Sequence, residues 1–182
     1  MIELAQVNAL AETLLKLTTP GVPDTYQGAE LWDLSLVDPD NRRPVDFEIR
    51  RKLAAEAGGI SAEKAWSRRA EGLPKLFLVR RTLALRRAHP EWFGAKSTYE
   101  PIFARGPNAE HILAFARAGQ LITIVPRLVL GLKDGWGETV FSLPTGLWHD
   151  FFTGEKLEAG VCKIADVLRR FPVALLTRSD EP

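Results

Sequence analysis

Residues 21–47 read GVPDTYQGAELWDLSLVDPDNRRPVDF, and the interpretation of this stretch governs that of the whole chain. It holds three prolines, three aromatic residues, six carboxylates and the adjacent pair Arg42 and Arg43. Proline removes a backbone donor and blocks a continuous helix, so the stretch is irregular for most of its length. Such composition is typical of a functional loop carried on a rigid scaffold.

Outward from the loop, the N-terminal side is helical. Leu4, Val7, Ala11 and Leu14 recur at helical spacing, which predicts a helix over 3–17. Thr18-Thr19-Pro20-Gly21 stops it. Val22–Tyr26 reads as a short strand, although Pro23 sits awkwardly in a central strand. On the C-terminal side, Asp46 can cap a helix that ends near Ala57, before Gly58-Gly59. Ser61 opens another, and Gly72-Leu73-Pro74 starts a longer one that runs to about Ala88.

The texture changes beyond Ser97. Short segments rich in β-branched and aromatic residues alternate with glycine and proline: Tyr99–Ala104, His111–Arg117, Leu121–Val125, Thr139–Leu143, Leu147–Phe152 and Val173–Thr177. Cys162 also reads as part of a strand. This spacing predicts an antiparallel sheet, a sandwich or a partial barrel. Gly106-Pro107-Asn108 and Ala118-Gly119-Gln120 are expected hairpin connections. The expected fold class is therefore α+β, with helices over 1–95 and an antiparallel, sandwich-like all-β domain over 96–182.

Two patterns in the loop resemble a known family. Gly21-x-Pro23-x-x-Tyr26-x-Gly28-x-Glu30 and Asp38-Pro39-Asp40-Asn41-Arg42-Arg43-Pro44 are similar to the end of the catalytic domain of maltooligosyl trehalose synthases. These enzymes form part of the alpha-amylase superfamily, glycoside hydrolase family 13. Further landmarks run through the rest of the chain: Pro126-Arg127, Trp136 ahead of Glu138-Thr139, Leu143-Pro144 and Phe171–Leu176. The resemblance implies a C-terminal portion only. It places residues 1–95 at the last β/α unit of a (β/α)₈ barrel plus helical extensions, with the β domain packed against that barrel.

The resemblance also implies the chemistry. Family members isomerise the reducing-end α-1,4 linkage of a maltooligosaccharide to α,α-1,1 by intramolecular transglucosylation. Retaining chemistry of this type needs two carboxyl groups about 5–5.5 Å apart. In the superfamily the essential carboxylates follow earlier barrel strands, so no catalytic residue is expected in this chain and the chain alone is expected to be inactive. Substrate contact falls instead to Tyr26, Trp32, Asp38, Asp40, Asn41, Arg42 and Arg43, on the loop after the last strand. The guanidinium pair suits carboxylates or sugar hydroxyls, and the aromatic rings suit sugar faces. A bracing role competes with this: Arg42 or Arg43 would pair with Asp38 or Glu30, while Asp46 caps a helix. Expected partners are the maltooligosaccharide, the N-terminal catalytic portion and a second copy of the chain. The alternatives are a carbohydrate-binding module using Trp136, Trp148 and the arginine loop, or a purely structural domain that stabilises a barrel.

Other function classes have little support. Net charge is +1. Residues 42–96 carry 14 Lys/Arg against 6 Asp/Glu, but most of the arginine pairs lie on helical segments and flank an apolar face. Nucleic acid is not an expected partner. There is no apolar run long enough for a bilayer and no signal-peptide pattern at the first residues, so the expectation is cytoplasmic. His89, His111 and His149 are widely spaced, and the lone Cys162 has no ligand-spaced companion; no metal or organic cofactor is expected. Trp136, Trp148 and Phe151 read as core aromatics before they read as a sugar platform.

Overall fold

A computed structural model describes residues 2–33 and 44–179. The helical part comprises α1 (Ile2–Thr18), α2 (Phe47–Ala57), α3 (Ala62–Ser67) and α4 (Leu73–Ala88). The periodicity of α1 becomes a buried stripe of Leu10, Ala11, Leu14 and Leu17. Its end is tied off locally: the Thr18 and Thr19 hydroxyls donate to the Leu14 and Leu15 carbonyls at 2.7 and 2.9 Å. Both expected N-caps form, with Asp46 accepting from Ile49 N at 3.0 Å and Ser61 from Lys64 N at 3.2 Å. Gly72 enters α4 with φ of 80°, and a Cβ there would stand 3.1 Å from Leu31 Cβ and Trp32 N. Only glycine meets both demands without strain.

The β part comprises β1 (Tyr99–Ile102), β2 (Ile112–Arg117), β3 (Leu121–Pro126), β4 (Val140–Asp150), β5 (Lys156–Lys163) and β6 (Ala174–Ser179), with the single-turn α5 (Ile164–Val167) after β5. The strands make one sheet in the order β1-β2-β3-β6-β4-β5, with every pairing antiparallel. A two-sheet, sandwich-like domain is therefore not what forms. The sheet curls, and the chain just after β1 meets the start of β4 through Arg105 N–Val140 O and Val140 N–Arg105 O bonds of 2.7 and 2.8 Å. Curling lets a single sheet enclose its own apolar face, so a second sheet is unnecessary.

Strand alternation divides the core in two. Ile112, Ala114, Ala116, Ile122, Ile124, Ala174 and Leu176 meet Phe141, Leu143 and Trp148 within the curl. The small alanines suit the tight interior of a small barrel-like sheet. On the opposite face Leu121, Val125, Val173 and Leu175 pack with Leu10, Leu14, Leu17, Phe77 and Leu78 of α1 and α4. Both faces of β3 are thus covered and all six of its residues are buried. Leu53 and Ala57 of α2 form a smaller cluster with Leu73 and Leu76.

Three local expectations need correction. Residues 22–26 form no strand: Val22 is 96% exposed, and no strand among the described residues lies alongside it. An extended segment becomes a strand only when a neighbour completes its ladder. The predicted segments 139–143 and 147–152 are one strand, β4, with a register shift between Leu143 and Leu147. Strand β5 is the third, since the sequence pattern marks only Cys162 of it. Its Glu158-Ala159-Gly160 stretch has weak strand propensity, and the ladder to β4 supplies what propensity does not.

The turn at Ala118-Gly119 forms as expected, with φ of 53° and 64°, the mark of a type I′ hairpin turn. Alanine is strained there. Ala118→Asn should raise stability by about 0.5–1 kcal/mol in a urea melt, because asparagine tolerates this conformation better.

Candidate functional site

The described part of the loop is held from below by two arginines that the sequence patterns did not single out. Arg50, in the first turn of α2, reaches back to three groups. Its Nε donates to Glu30 Oε2 at 3.1 Å, its Nη2 to the Gly28 carbonyl at 2.7 Å, and its Nη1 to the Asp46 carbonyl at 3.0 Å. Glu30 therefore braces the loop as expected, but against Arg50. Arg69 contributes its backbone, with the Trp32 indole N–H donating to the Arg69 carbonyl at 2.5 Å. Its side chain pairs with Glu3 at 3.1 Å and lies 5.2 Å over the Trp66 ring, joining the loop to α1 and α3.

The signal for Arg50 was present in the sequence. It stands four residues after the Asp46 cap, where a side chain on the first turn can return to the incoming chain. Nothing in the spacing identifies Glu30 as its partner, 20 residues away. Arg50→Ala removes a charge-assisted pair and two carbonyl contacts. The expected cost is about 1.5–3 kcal/mol, read from chemical denaturation, with faster proteolysis within residues 21–33.

Geometry separates the two predicted aromatic contacts. Tyr26 is 63% exposed and free to present its ring. Trp32 is half-buried, packs onto the helix–sheet core and commits its indole N–H to the bond already described. Near Glu30 and Asp33 lies Lys75, half-buried at the start of α4. Burial pushes its ammonium below the ordinary value and Lys16 adds to this, while Asp33, Glu30 and Glu12 oppose it. Asp38, Asp40, Asn41, Arg42 and Arg43 lie outside the described residues. Glu30 and Asp46 already have structural partners in Arg50 and the Ile49 N–H.

The alternative aromatic platform does not assemble. Trp148 is 1% exposed and its indole donates to the Pro144 carbonyl at 3.0 Å, so it has no face to offer. Trp136 is half-buried against the inner core, and Phe151 faces the Arg81 guanidinium at 5.3 Å. The histidines are structural in their contacts: His89 stacks on Trp92, His111 is buried near the Arg127 carbonyl, and His149 bonds Ser179 and Thr177. Burial pushes the Cys162 thiol up, and nearby Asp166 pushes it in the same direction, which disfavours a nucleophile. Among the described residues no His, Cys, Asp and Glu cluster could hold a metal, and no helix is long and apolar enough to cross a membrane.

The loop, the helices beneath it and the curled sheet can be compared as one unit with known proteins. No protein-family model matches the chain. A candidate maltooligosyl trehalose synthase of Mycobacterium tuberculosis, found in two strains, is 44% identical over 97% of this chain. The solved structure of maltooligosyltrehalose synthase from Arthrobacter ramosus superposes over 96% of the chain with a TM-score of 0.83 and 41% identity. The chain is similar to a C-terminal portion of maltooligosyl trehalose synthase.

The chain spans about a fifth of the synthases it matches, 21% of the M. tuberculosis protein and 22% of the A. ramosus one. A further synthase structure superposes with a TM-score of 0.70 at 23% identity, which speaks to the fold alone. The likeness to the synthases covers helices and sheet together, as does the core formed by α1, α3, α4 and the sheet.

Proposed function

We propose that this chain is the C-terminal part of a maltooligosyl trehalose synthase, a cytoplasmic enzyme of trehalose biosynthesis. The observation that carries the reading is 44% identity sustained over 97% of the chain, helices and β strands alike. The complete enzyme converts the reducing-end α-1,4 linkage of a maltooligosaccharide to α,α-1,1. One carboxylate forms a glycosyl-enzyme intermediate, and the released glucose returns through its anomeric hydroxyl. By the family resemblance, the catalytic carboxylates stand on segments N-terminal to the region matched here.

In this reading residues 1–95 close a (β/α)₈ barrel and 96–182 form the β domain that supports it. The loop over 21–47 walls the substrate cleft, with Tyr26, Trp32, Asp38, Asp40, Asn41, Arg42 and Arg43 as sugar contacts. The exposure of Val22 and Tyr26 supports this: by the resemblance, both belong to the stretch that would become the last strand of a completed barrel. Apolar side chains left open, Ile2, Val22 and Tyr26 among them, also favour docking with the catalytic portion, or self-association of the chain alone.

The decisive experiment is a trehalose-synthase assay on maltopentaose, using this chain alone and then mixed with the catalytic portion of a synthase. The expected result is no turnover alone and measurable turnover on mixing. Turnover by the chain alone overturns the placement of the carboxylates; failure on mixing, with both parts folded, removes the proposed role. A second reading, a purely structural support for the barrel, is favoured by the Arg50 and Arg69 braces. It predicts complementation without any maltooligosaccharide affinity in the isolated chain.

A further inference from the structure

An open pocket of about 430 Å³ lies where the end of α1, the last turn of α4 and the end of β2 meet, away from the Arg50-braced loop segment. Its lining includes Gly21, Arg86, Phe93, Ser97 and Arg117, and it contains no carboxylate. Arg117 is 1% exposed. A charge removed so fully from water is ordinarily paired with an opposite one. Here the Arg117 Nε donates to Ser97 Oγ at 3.3 Å and its Nη1 to the Thr18 carbonyl at 2.9 Å. Its Nη2 donors meet no acceptor among the described residues, and neither arginine forms an ion pair there.

Arg86 is the second cation. Its Nη1 donates to the Leu17 carbonyl at 2.6 Å and its guanidinium sits 4.5 Å over the Phe93 ring. The two arginines thus bond the last carbonyls of α1, which explains their seats but not their charge. A helix C-terminus carries roughly half a negative charge, well short of offsetting two guanidinium groups. Burial, and after it the like charge of Arg86, pushes Arg117 below its ordinary value. The pocket is therefore electropositive, partly dry, and fitted with unused N–H forks of the kind that match oxyanions.

We propose that the Arg86–Arg117 pocket binds a small oxyanion, a phosphate or a carboxylate. The pocket shares Gly21 and Val22 with the 21–47 stretch but none of the residues proposed as sugar contacts. The test is thermal unfolding of this chain titrated with inorganic phosphate, and in parallel with acetate, at ionic strength held constant with sodium chloride. At ten times the dissociation constant, the Tm of the unmodified chain should rise by about 3–6 °C for at least one of the two anions. Arg86→Gln, at the half-buried and more tolerant position, should reduce that rise to under a third. Calorimetric titration of the same pair should give one anion per chain, with loss of binding in the variant. A rise no larger than the chloride control overturns the proposal, as does an equal rise in Arg86→Gln. A response to phosphate alone, or to acetate alone, supports it and identifies the preferred anion class.

Discussion

Replacing Phe171 with alanine is expected to destabilise the protein by about 3–5 kcal/mol, the range for an aromatic residue lost from a packed core. Phe171 is 1% exposed and lies at the junction of three rings. Its centroid is 6.3 Å from Trp66 on α3, 5.8 Å from Phe77 on α4 and 5.6 Å from Phe152 after β4. It therefore joins helices to sheet, and its removal opens a cavity at the seam that no single element can collapse to fill. Equilibrium urea denaturation, followed by both far-UV circular dichroism and tryptophan fluorescence, measures the loss. A cost below about 1 kcal/mol would mean that helices and sheet do not share this core.

The second large effect depends on pH and centres on Asp150, which is 2% exposed at the end of β4. Burial raises its carboxyl from an ordinary 3.8 to about 6, against the opposing bonds from Phe152 N at 2.9 Å and Thr153 Oγ1 at 2.8 Å. The folded state therefore holds its proton more tightly than the unfolded state. Between about pH 4 and pH 6 the folded form binds more protons, so this residue's contribution to stability is full below pH 4 and is lost as pH rises through 6. The shift corresponds to about 3 kcal/mol.

Asp150→Asn keeps the acceptor for Phe152 N and places an amide donor beside the Thr153 hydroxyl, whose lone pairs can receive it. The variant should match the unmodified chain near pH 4 and exceed it by up to about 3 kcal/mol at pH 7. Urea melts of both proteins across pH 4–8 give the difference curve. A flat difference would show that Asp150 is charged at no net cost, with the turn bonds compensating its burial.

Much of the local structure was open to reading in advance because its causes are local. The three- and four-residue recurrence of Leu4, Val7, Ala11 and Leu14 made α1, and Asp46 and Ser61 capped helices through groups three residues away. Alternation through Leu113–Phe115 and Leu121–Val125 produced β2 and β3 with one set of side chains on each face. The loop patterns and landmarks pointed to the synthases before any geometry was known, and the similarity over 97% of the chain agrees.

The remainder depended on contacts between residues far apart in the chain. Val22–Tyr26 has the pattern of a strand but no partner ladder among the described residues, while β5 has a poor pattern and a complete ladder with β4. Whether the strands formed two sheets or one turned on β6 pairing with both β3 and β4, and its curl is tied by two bonds between Arg105 and Val140, 35 positions apart and joined by no periodicity. The partner of Glu30 is Arg50, and the acceptor of the buried Arg117 is the Thr18 carbonyl, 99 residues distant. Side-chain period and capping chemistry are properties of neighbouring residues and can be read one segment at a time. Ladder partners, sheet closure and the seating of a buried charge are settled only when whole elements pack, because each then takes its hydrogen bonds from whatever the fold brings beside it.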